Sequence, residues 1–336
     1  MTRTIVMIHP GSLGDVLLAV PAMKRLQASF AEHRSLLVAT ESVGRMLHGV
    51  ELIDACLSIE GAAVAGLFAG SVPKSGELAS WLKQCDYAVA WMDDKEGTLA
   101  MALRGSGARE VRIQSPFSAE LKARHQGDRF LETLRGSSTG PSDDTSLPMP
   151  GYLIEEGRVY LDRLGISAGQ LLVLVHPGSG SRQKCLGPEI LAQVLERLRQ
   201  AGTHPLVIEG PADRETVAEL LVLMPVKPTV LRELPLTLLA GVLTQAWLYV
   251  GHDSGITHLS SLLGVPTVAV FGPTDSERWR PRGGHVAVLQ GAPCMCGSWE
   301  MVKACVEKPC LSVSAEALIA LCLMHQADSA TSRNLS

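Results

Sequence analysis

Aromatic side chains are scarce in this chain: Phe, Trp and Tyr make up 4% of its 336 residues. A core of that composition rests on Leu, Val, Ile and Ala. Long apolar runs are missing as well. Nothing approaches the roughly 18 consecutive apolar residues of a membrane span, and the apolar run 5–8 ahead of His9 is too short for a signal-peptide core. The expected location is therefore the cytoplasm. Positive charge is in deficit, 30 Lys and Arg against 34 Asp and Glu, which disfavours nucleic acid as a partner because its binders carry a basic face. Neither G-x-G-x-x-G nor G-x-x-x-x-G-K-[ST] occurs, so a dinucleotide fingerprint and a P-loop are both unsupported.

What the chain does have is a doubled phrase. "MIHPGSLGDVLLAVP" begins at Met7 and "LVHPGSGSRQKCLGP" at Leu174. Each sets His-Pro-Gly-Ser after an apolar run, and the two histidines stand 167 positions apart in a chain whose half-length is 168. A chain this long exceeds the size of one ordinary core. The expectation is two α/β domains, 1–150 and 151–330. In the first, strands are predicted at 4–9, 35–40, 87–92 and 110–114, with helices at 15–30 and 76–85. The Gly-, Ser- and Pro-rich stretch 135–151 is the linker or loop candidate, and a helix is predicted over 152–165. Strand and helix then alternate again from Leu171, with strands closing at His176, Gly210, His252 and Gly272. The tail beyond Ala327 is predicted to fray. Loops at the carboxyl ends of parallel strands are where ligands bind, so the site is expected in a cleft between the domains.

The residues after each HPGS differ. Ser12, Gly14 and Asp15 follow the first, and Asp15 admits two readings: a carboxylate complementing a helix start, or a general base facing the cleft. Arg182 and Lys184 follow the second, and two cations on a glycine loop suit an anion such as phosphate; a solvated basic loop is the alternative. The stretch "LYVGHDSGITHLSSLLGVPTVAVFGPTD" (248–275) is the most informative. Asp253 and Ser254 are placed to cap a helix whose first turn holds Gly255, Thr257 and His258, and Thr274 follows the next strand. Capping explains one or two of these residues, whereas their convergence at adjacent strand ends favours a phosphate seat. Glu209 closes another strand, where a carboxylate suits ribose hydroxyls or is simply a surface acid.

Taken together, "SLGDVLLAVPAMKRL", "HPGSGSRQK", "GPADRE" and the 248–275 stretch resemble glycosyltransferase family 9, the lipopolysaccharide heptosyltransferases. The resemblance implies a GT-B fold of two Rossmann-like domains, the N-terminal one binding acceptor and the C-terminal one binding nucleotide sugar. It implies an inverting transfer of heptose from ADP-heptose to a lipid-linked lipopolysaccharide core acceptor, without metal or other cofactor, at the inner face of the cytoplasmic membrane with peripheral contact there. Asp15 falls on the family's proposed base. Lys184, Asp253, Ser254, Gly255 and His258 fall on its donor motifs, with Arg182, Thr257 and Thr274 beside them, Glu209 on the nucleotide side, and Ser12 and Gly14 on the acceptor-side loop. Where the family often reads K-x-W-P this chain reads "KCLGP". Transfer from another nucleotide sugar, a nucleotide-sugar 2-epimerase and a non-catalytic nucleotide-sugar binder are the rival readings. The 2-epimerase would need several acid and base groups, and one acid is well placed.

Two features stay outside that assignment. Residues 104–135 hold seven Lys or Arg against four Asp or Glu, which suits an anionic saccharide or membrane surface or an ordinary solvated face. Four of the eight cysteines cluster as Cys294, Cys296, Cys305 and Cys310, at spacings unlike the paired C-x2-C of common zinc sites. Free or structural thiols are the first reading of them, with a metal site and a redox pair as alternatives.

Overall fold

A computed structural model describes residues 2–115, 124–134 and 144–333, with side chains as far as Met324. The chain divides into two compact units, Met1–Pro150 and Gly151–Ser336.

The first unit is built on β1 (Thr4–Ile8), β2 (Arg34–Ala39), β3 (Ala55–Ser58), β4 (Cys85–Ala90) and β5 (Glu110–Ile113). They form one all-parallel sheet in the order β3-β2-β1-β4-β5. All five residues of β1 are buried, as expected of a central parallel strand covered on both faces, which is why it reads as a continuous apolar run.

The second unit holds β6 (Leu172–His176), β7 (His204–Glu209), β8 (Thr229–Arg232), β9 (Leu248–His252), β10 (Thr267–Phe271) and β11 (Val286–Gln290). These too are all parallel, in the order β11-β10-β9-β6-β7-β8. Counted from β6, this is the 3-2-1-4-5-6 order of a Rossmann sheet, whose direction of winding reverses between β6 and β9. In the first unit the same reversal falls between β1 and β4. Ligands of open α/β sheets bind outside the carboxyl ends of the strands at that reversal. The two HPGS phrases follow β1 and β6, the strands that sit there.

Two helices of the second unit, Gly151–Arg163 and Leu236–Leu243, touch backbone to backbone. A Cβ on Gly157 would lie 2.2 Å from the carbonyl carbon of Gly241, and one on Gly241 2.1 Å from the carbonyl oxygen of Leu153. Only glycine fits at either position.

Several predicted elements change. The helix expected over 15–30 is two, Leu13–Leu18 and Val20–Ser29. Pro21 has no N–H to offer Leu17, so a continuous helix would lose a bond there, and the chain breaks at Ala19. Strands β3, β8 and β11 were not predicted. All three are sheet edges and only partly buried, so their apolar patterning is weak. The last helix, Ala315–Arg333, continues past Ala327, where fraying was expected. Of the 135–151 stretch, residues 135–143 lie outside the described residues.

Candidate functional site

The site in the second unit starts at His176, the last residue of β6. Its ring is buried between two partners: Nε2 stands 2.9 Å from Asp213 Oδ2 and Nδ1 3.2 Å from Ser254 Oγ. A carboxylate only accepts, so the proton of a neutral ring sits on Nε2 and Nδ1 accepts from the serine hydroxyl. Asp213 Oδ2 also takes the Gly210 N–H at 3.0 Å. Burial pushes the Asp213 carboxyl up, but the hydrogen bonds from His176 and the Gly210 amide help to outweigh it, and the net shift is downward. Gly178, the glycine of this HPGS, makes room for that acid: a Cβ there would sit 1.7 Å from Asp213 Oδ1.

This network ties the β6 loop to the start of the helix Gly255–Leu262, where Ser254 is the N-cap and accepts from Thr257 N at 3.4 Å. The loop is fastened twice more. Ser179 Oγ donates to the Asp253 carbonyl at 2.6 Å, and Lys184 Nζ reaches Asp253 Oδ2 at 2.7 Å. Lys184, Asp253, Ser254 and Gly255 are thereby brought together at the reversal between β6 and β9. Asp253 takes one of the three N–H donors of the ammonium. Among the described residues the Gly255 and Ile256 amides have no acceptor, as expected at an open helix start. Two free amides, the helix dipole and a half-buried ammonium make a seat for an oxyanion.

Other predicted residues are used differently. The Thr257 side chain is fully buried, and its hydroxyl bonds the His252 carbonyl, Tyr249 OH and Ser254 Oγ, so it faces the sheet and offers nothing to a phosphate. The Ser254 hydroxyl is likewise held by His176 and the helix cap. The Arg182 guanidinium lies 2.7 Å from Glu215 and 2.6 Å from Glu219, which leaves it in an exposed ion-pair cluster rather than among the site cations. Thr274 stands in the loop after β10, next to β9, partly exposed. His258 is buried in the first turns of its helix. Glu209 is no surface acid: it is buried at the end of β7, with Arg232 Nε 3.3 Å away.

In the first unit, His9 ends β1 but is used otherwise than His176. It packs against Trp91 and Phe130 and accepts from Gly11 N at 3.1 Å. Burial drives its pKa down to about 4, against the nearby Asp15 charge, so the ring is neutral at neutral pH. Gly11 threads between His9 and Asp15, since a Cβ there would lie 2.7 Å from the His9 ring and 2.8 Å from Asp15 Cβ. Ser12 caps the helix Leu13–Leu18, and its N–H and hydroxyl both donate to Asp15 Oδ2, at 3.1 and 2.7 Å. Both readings of Asp15 thus have a physical basis: Oδ2 braces the cap, while Oδ1 takes part in no hydrogen bond among the described residues and the side chain is partly exposed. Gly14 lies in the first turn beside it.

Sequence reasoning missed His176 and Asp213, although both stand inside quoted motifs. The available signal was a histidine ending a strand and an acid in "GPADRE", but nothing in the sequence pairs residues 37 positions apart. It also missed Asp94, which caps the helix Thr98–Gly105 after β4 through the Leu99 and Ala100 amides, at 3.1 and 2.9 Å. The basic segment 104–135 is only partly described. Within it Arg109 pairs with Asp86, Arg112 with Glu110 and Arg124 with Glu132, which favours the solvated-face reading for those three. No helix among the described residues is long and apolar enough to cross a membrane.

Comparison with known proteins converges on one family. The glycosyltransferase family 9 (heptosyltransferase) model matches residues 144–310. Lipopolysaccharide heptosyltransferase 3 of Escherichia coli is 27% identical over 146 residues, 41% of each chain; the matches span under half the length of such curated relatives. Among solved structures, the glycosyl transferase family 9 protein of Veillonella parvula superposes with a TM-score of 0.82 at 20% identity, covering 98% of both chains. The E. coli heptosyltransferase WaaC with ADP superposes at 0.67 and 18% identity, covering 96% of this chain and all of that one. At those identities the likeness is one of fold, two parallel sheets in the GT-B arrangement. With the family match over the stretch that carries Lys184, Asp213 and Asp253, the chain belongs to glycosyltransferase family 9.

Proposed function

We propose that the chain transfers a heptose from ADP-heptose to a lipid-linked saccharide of the lipopolysaccharide core, inverting the anomeric centre. The observation that carries this reading is the oxyanion seat at the β6–β9 reversal, formed by Lys184 and the open amides of Gly255 and Ile256. A departing nucleoside diphosphate gains negative charge as its bond to the sugar breaks, and donors aimed at that charge lower the barrier. Family membership makes heptose from ADP-heptose the donor to test first.

Asp15 is the proposed base. Its Oδ1 takes the proton of the acceptor hydroxyl, the oxygen attacks the anomeric carbon, and the bond from that carbon to the diphosphate oxygen breaks on the opposite face, releasing ADP. In this proposal the ammonium and helix amides balance the diphosphate charge, so the reaction is routed through no metal. His258, Thr274 and Glu209 are assigned to the donor side of the same pocket, Glu209 for the ribose. Ser12 and Gly14 line the acceptor-side loop. Because the acceptor is lipid-linked, we place the reaction at the inner face of the cytoplasmic membrane, through peripheral contact.

The test is to incubate the full chain with a panel of nucleotide sugars and truncated lipopolysaccharide cores, following nucleotide release and acceptor mass. ADP released together with an acceptor heavier by one heptose supports the proposal. Donor binding without turnover on any acceptor would refute it in favour of a binding protein. Asp15→Asn keeps an oxygen for the Ser12 cap while removing the base, so turnover should fall about 10²-fold or more with ADP affinity retained.

A further inference from the structure

We propose that Cys294, Cys296, Cys305 and Cys310 bind one divalent thiophilic cation of the zinc class in a closed, structural four-thiolate site. The Sγ atoms of Cys294, Cys296 and Cys305 all lie within 4.8 Å of one another. Cys294 and Cys296 approach to 2.9 Å; Cys310, buried beside the cluster, lies outside that mutual 4.8 Å group, and its thiol acts on that of Cys294. These sulfurs come from three places in the second unit: the loop after β11, the residue closing the helix Trp299–Ala304, and the short 3-10 turn Pro309–Leu311. No other group of three or more metal-ligating side chains converges this way among the described residues.

The segment that carries the cysteines needs a hold that packing does not supply. From residue 292 to 308 only Val302 is buried. The large apolar side chains point the other way in the ledger of burial: Met295 is 91% exposed, Val306 92% and Met301 53%. A lobe with so little core is the kind that proteins staple with a metal or disulfides. The geometry suits a metal. A tetrahedral ion with sulfur bonds of about 2.3 Å holds its ligands about 3.8 Å apart, within the spread observed. Closing on the ion requires the Cys294–Cys296 pair to open by about 0.9 Å, a change within reach of thiol rotamers in a partly exposed loop.

Tetrahedral sulfur ligation suits zinc and iron–sulfur centres alike; sulfurs within 4.8 Å of one another leave room for one ion without inorganic sulfide, which favours zinc, and four protein ligands leave no open position, so the site is structural rather than catalytic. Each thiol gives up its proton on binding. Lys303 and Lys308 flank Cys305 in sequence.

The lobe bears on the loop after β10. Gly291 N donates to the Cys310 carbonyl at 2.9 Å, Gln290 Nε2 donates to the Gly272 carbonyl at 2.8 Å and the Thr274 carbonyl at 3.4 Å, and Leu311 packs on Gly272. The ion would therefore steady the 272–275 loop from behind.

The experiment is metal analysis of the full chain purified without a polyhistidine tag, repeated after cobalt exchange. The expected result is about one zinc per chain, a thiolate-to-cobalt charge-transfer band after exchange, and loss of most of both in Cys296→Ser and in Cys305→Ser, whereas Cys56→Ser in the first unit keeps them. Should either variant fail to fold, the metal content and cobalt spectrum of the unaltered chain still decide. A metal-free chain whose cluster titrates as free thiols overturns the proposal. So does a Cys294–Cys296 disulfide seen by mass, or iron accompanied by acid-labile sulfide.

Discussion

Replacing Asp213 tests whether the second-unit site is held in shape by the His176 network. Asp213 Oδ2 is the acceptor for His176 Nε2 at 2.9 Å and Gly210 N at 3.0 Å. Asp213→Ala strips both donors of their partner. A buried donor left unsatisfied costs about 1–3 kcal/mol; taking about 2 for the buried imidazole and about 1 for the less buried Gly210 amide gives a loss of about 3 kcal/mol. Asp213→Asn retains an oxygen in the same place and loses only the charge, about 1 kcal/mol. The imidazole also loses the partner that fixes its proton on Nε2, so Nδ1 no longer reliably accepts from Ser254, and the cap of the helix starting at Gly255 loosens. Two readouts follow. Amide hydrogen exchange in residues 253–258 should accelerate about 10²-fold in the alanine variant, the rate equivalent of about 3 kcal/mol, and ADP binding measured by calorimetry should weaken about tenfold or more. The asparagine variant should stay within a few-fold of the parent on both. Unchanged exchange and affinity in Asp213→Ala would refute the tether. An asparagine variant as impaired as the alanine one would show that charge, rather than the acceptor oxygen, does the holding.

Lys184→Met should weaken ADP binding about 10- to 100-fold and destabilise the second unit by leaving the buried Asp253 without its cation; adding Asp253→Asn should restore stability, read from thermal melts, but not affinity. Gly157→Ala drives a Cβ to within 2.2 Å of the Gly241 backbone and should cost about 3 kcal/mol or more, whereas Gly151→Ala, with open space around its Cβ, should be close to neutral in the same melts. Acid should weaken both units. His9 and His252 are each driven by burial from 6.5 to about 4, so between those pH values the unfolded chain binds protons that the folded chain does not. Stability from each is complete above pH 6.5 and falls as pH drops towards 4, by about 3 kcal/mol per histidine. Urea unfolding at pH 7 and pH 5, with hydrogen exchange resolving the units, checks this; His9→Gln should flatten the loss in the first unit alone.

Much of the fold was legible because central parallel strands are buried on both faces. "TIVMI" and "LVLVH" read as uninterrupted apolar runs, and each is followed by a loop rich in glycine. The edge strands Ala55–Ser58, Thr229–Arg232 and Val286–Gln290 were not legible, since a strand with one free edge and partial burial needs no such run. The break at Ala19 went unread although Pro21 announced it, because the apolar period continues across it. At the site, residue types were legible and their partners were not. Lys184 was read as a cation on a glycine loop, and its bond to Asp253 joins positions 69 apart. Arg182 looked equivalent from two residues away, and its engagement by Glu215 and Glu219 depends on a helix packed alongside. Thr257 looked like a hydroxyl at a helix start, but helix geometry turns it inward to Tyr249 and His252.

The sequence by itself determined two parallel α/β units, a glycine loop after the first strand of each, an acid after one loop and a lysine after the other, because local sterics and burial write those features into neighbouring residues. Only the tertiary structure decided what the repeated histidines and glycines do. Gly11 clears a path past Asp15 in its own turn, whereas Gly178 clears one for Asp213 from a distant helix; His9 is packed among aromatic rings, whereas His176 is hydrogen-bonded into the site. Those differences depend on which residues the sheet order brings to the same strand end, and side-chain contacts across that distance have no period for a sequence to display.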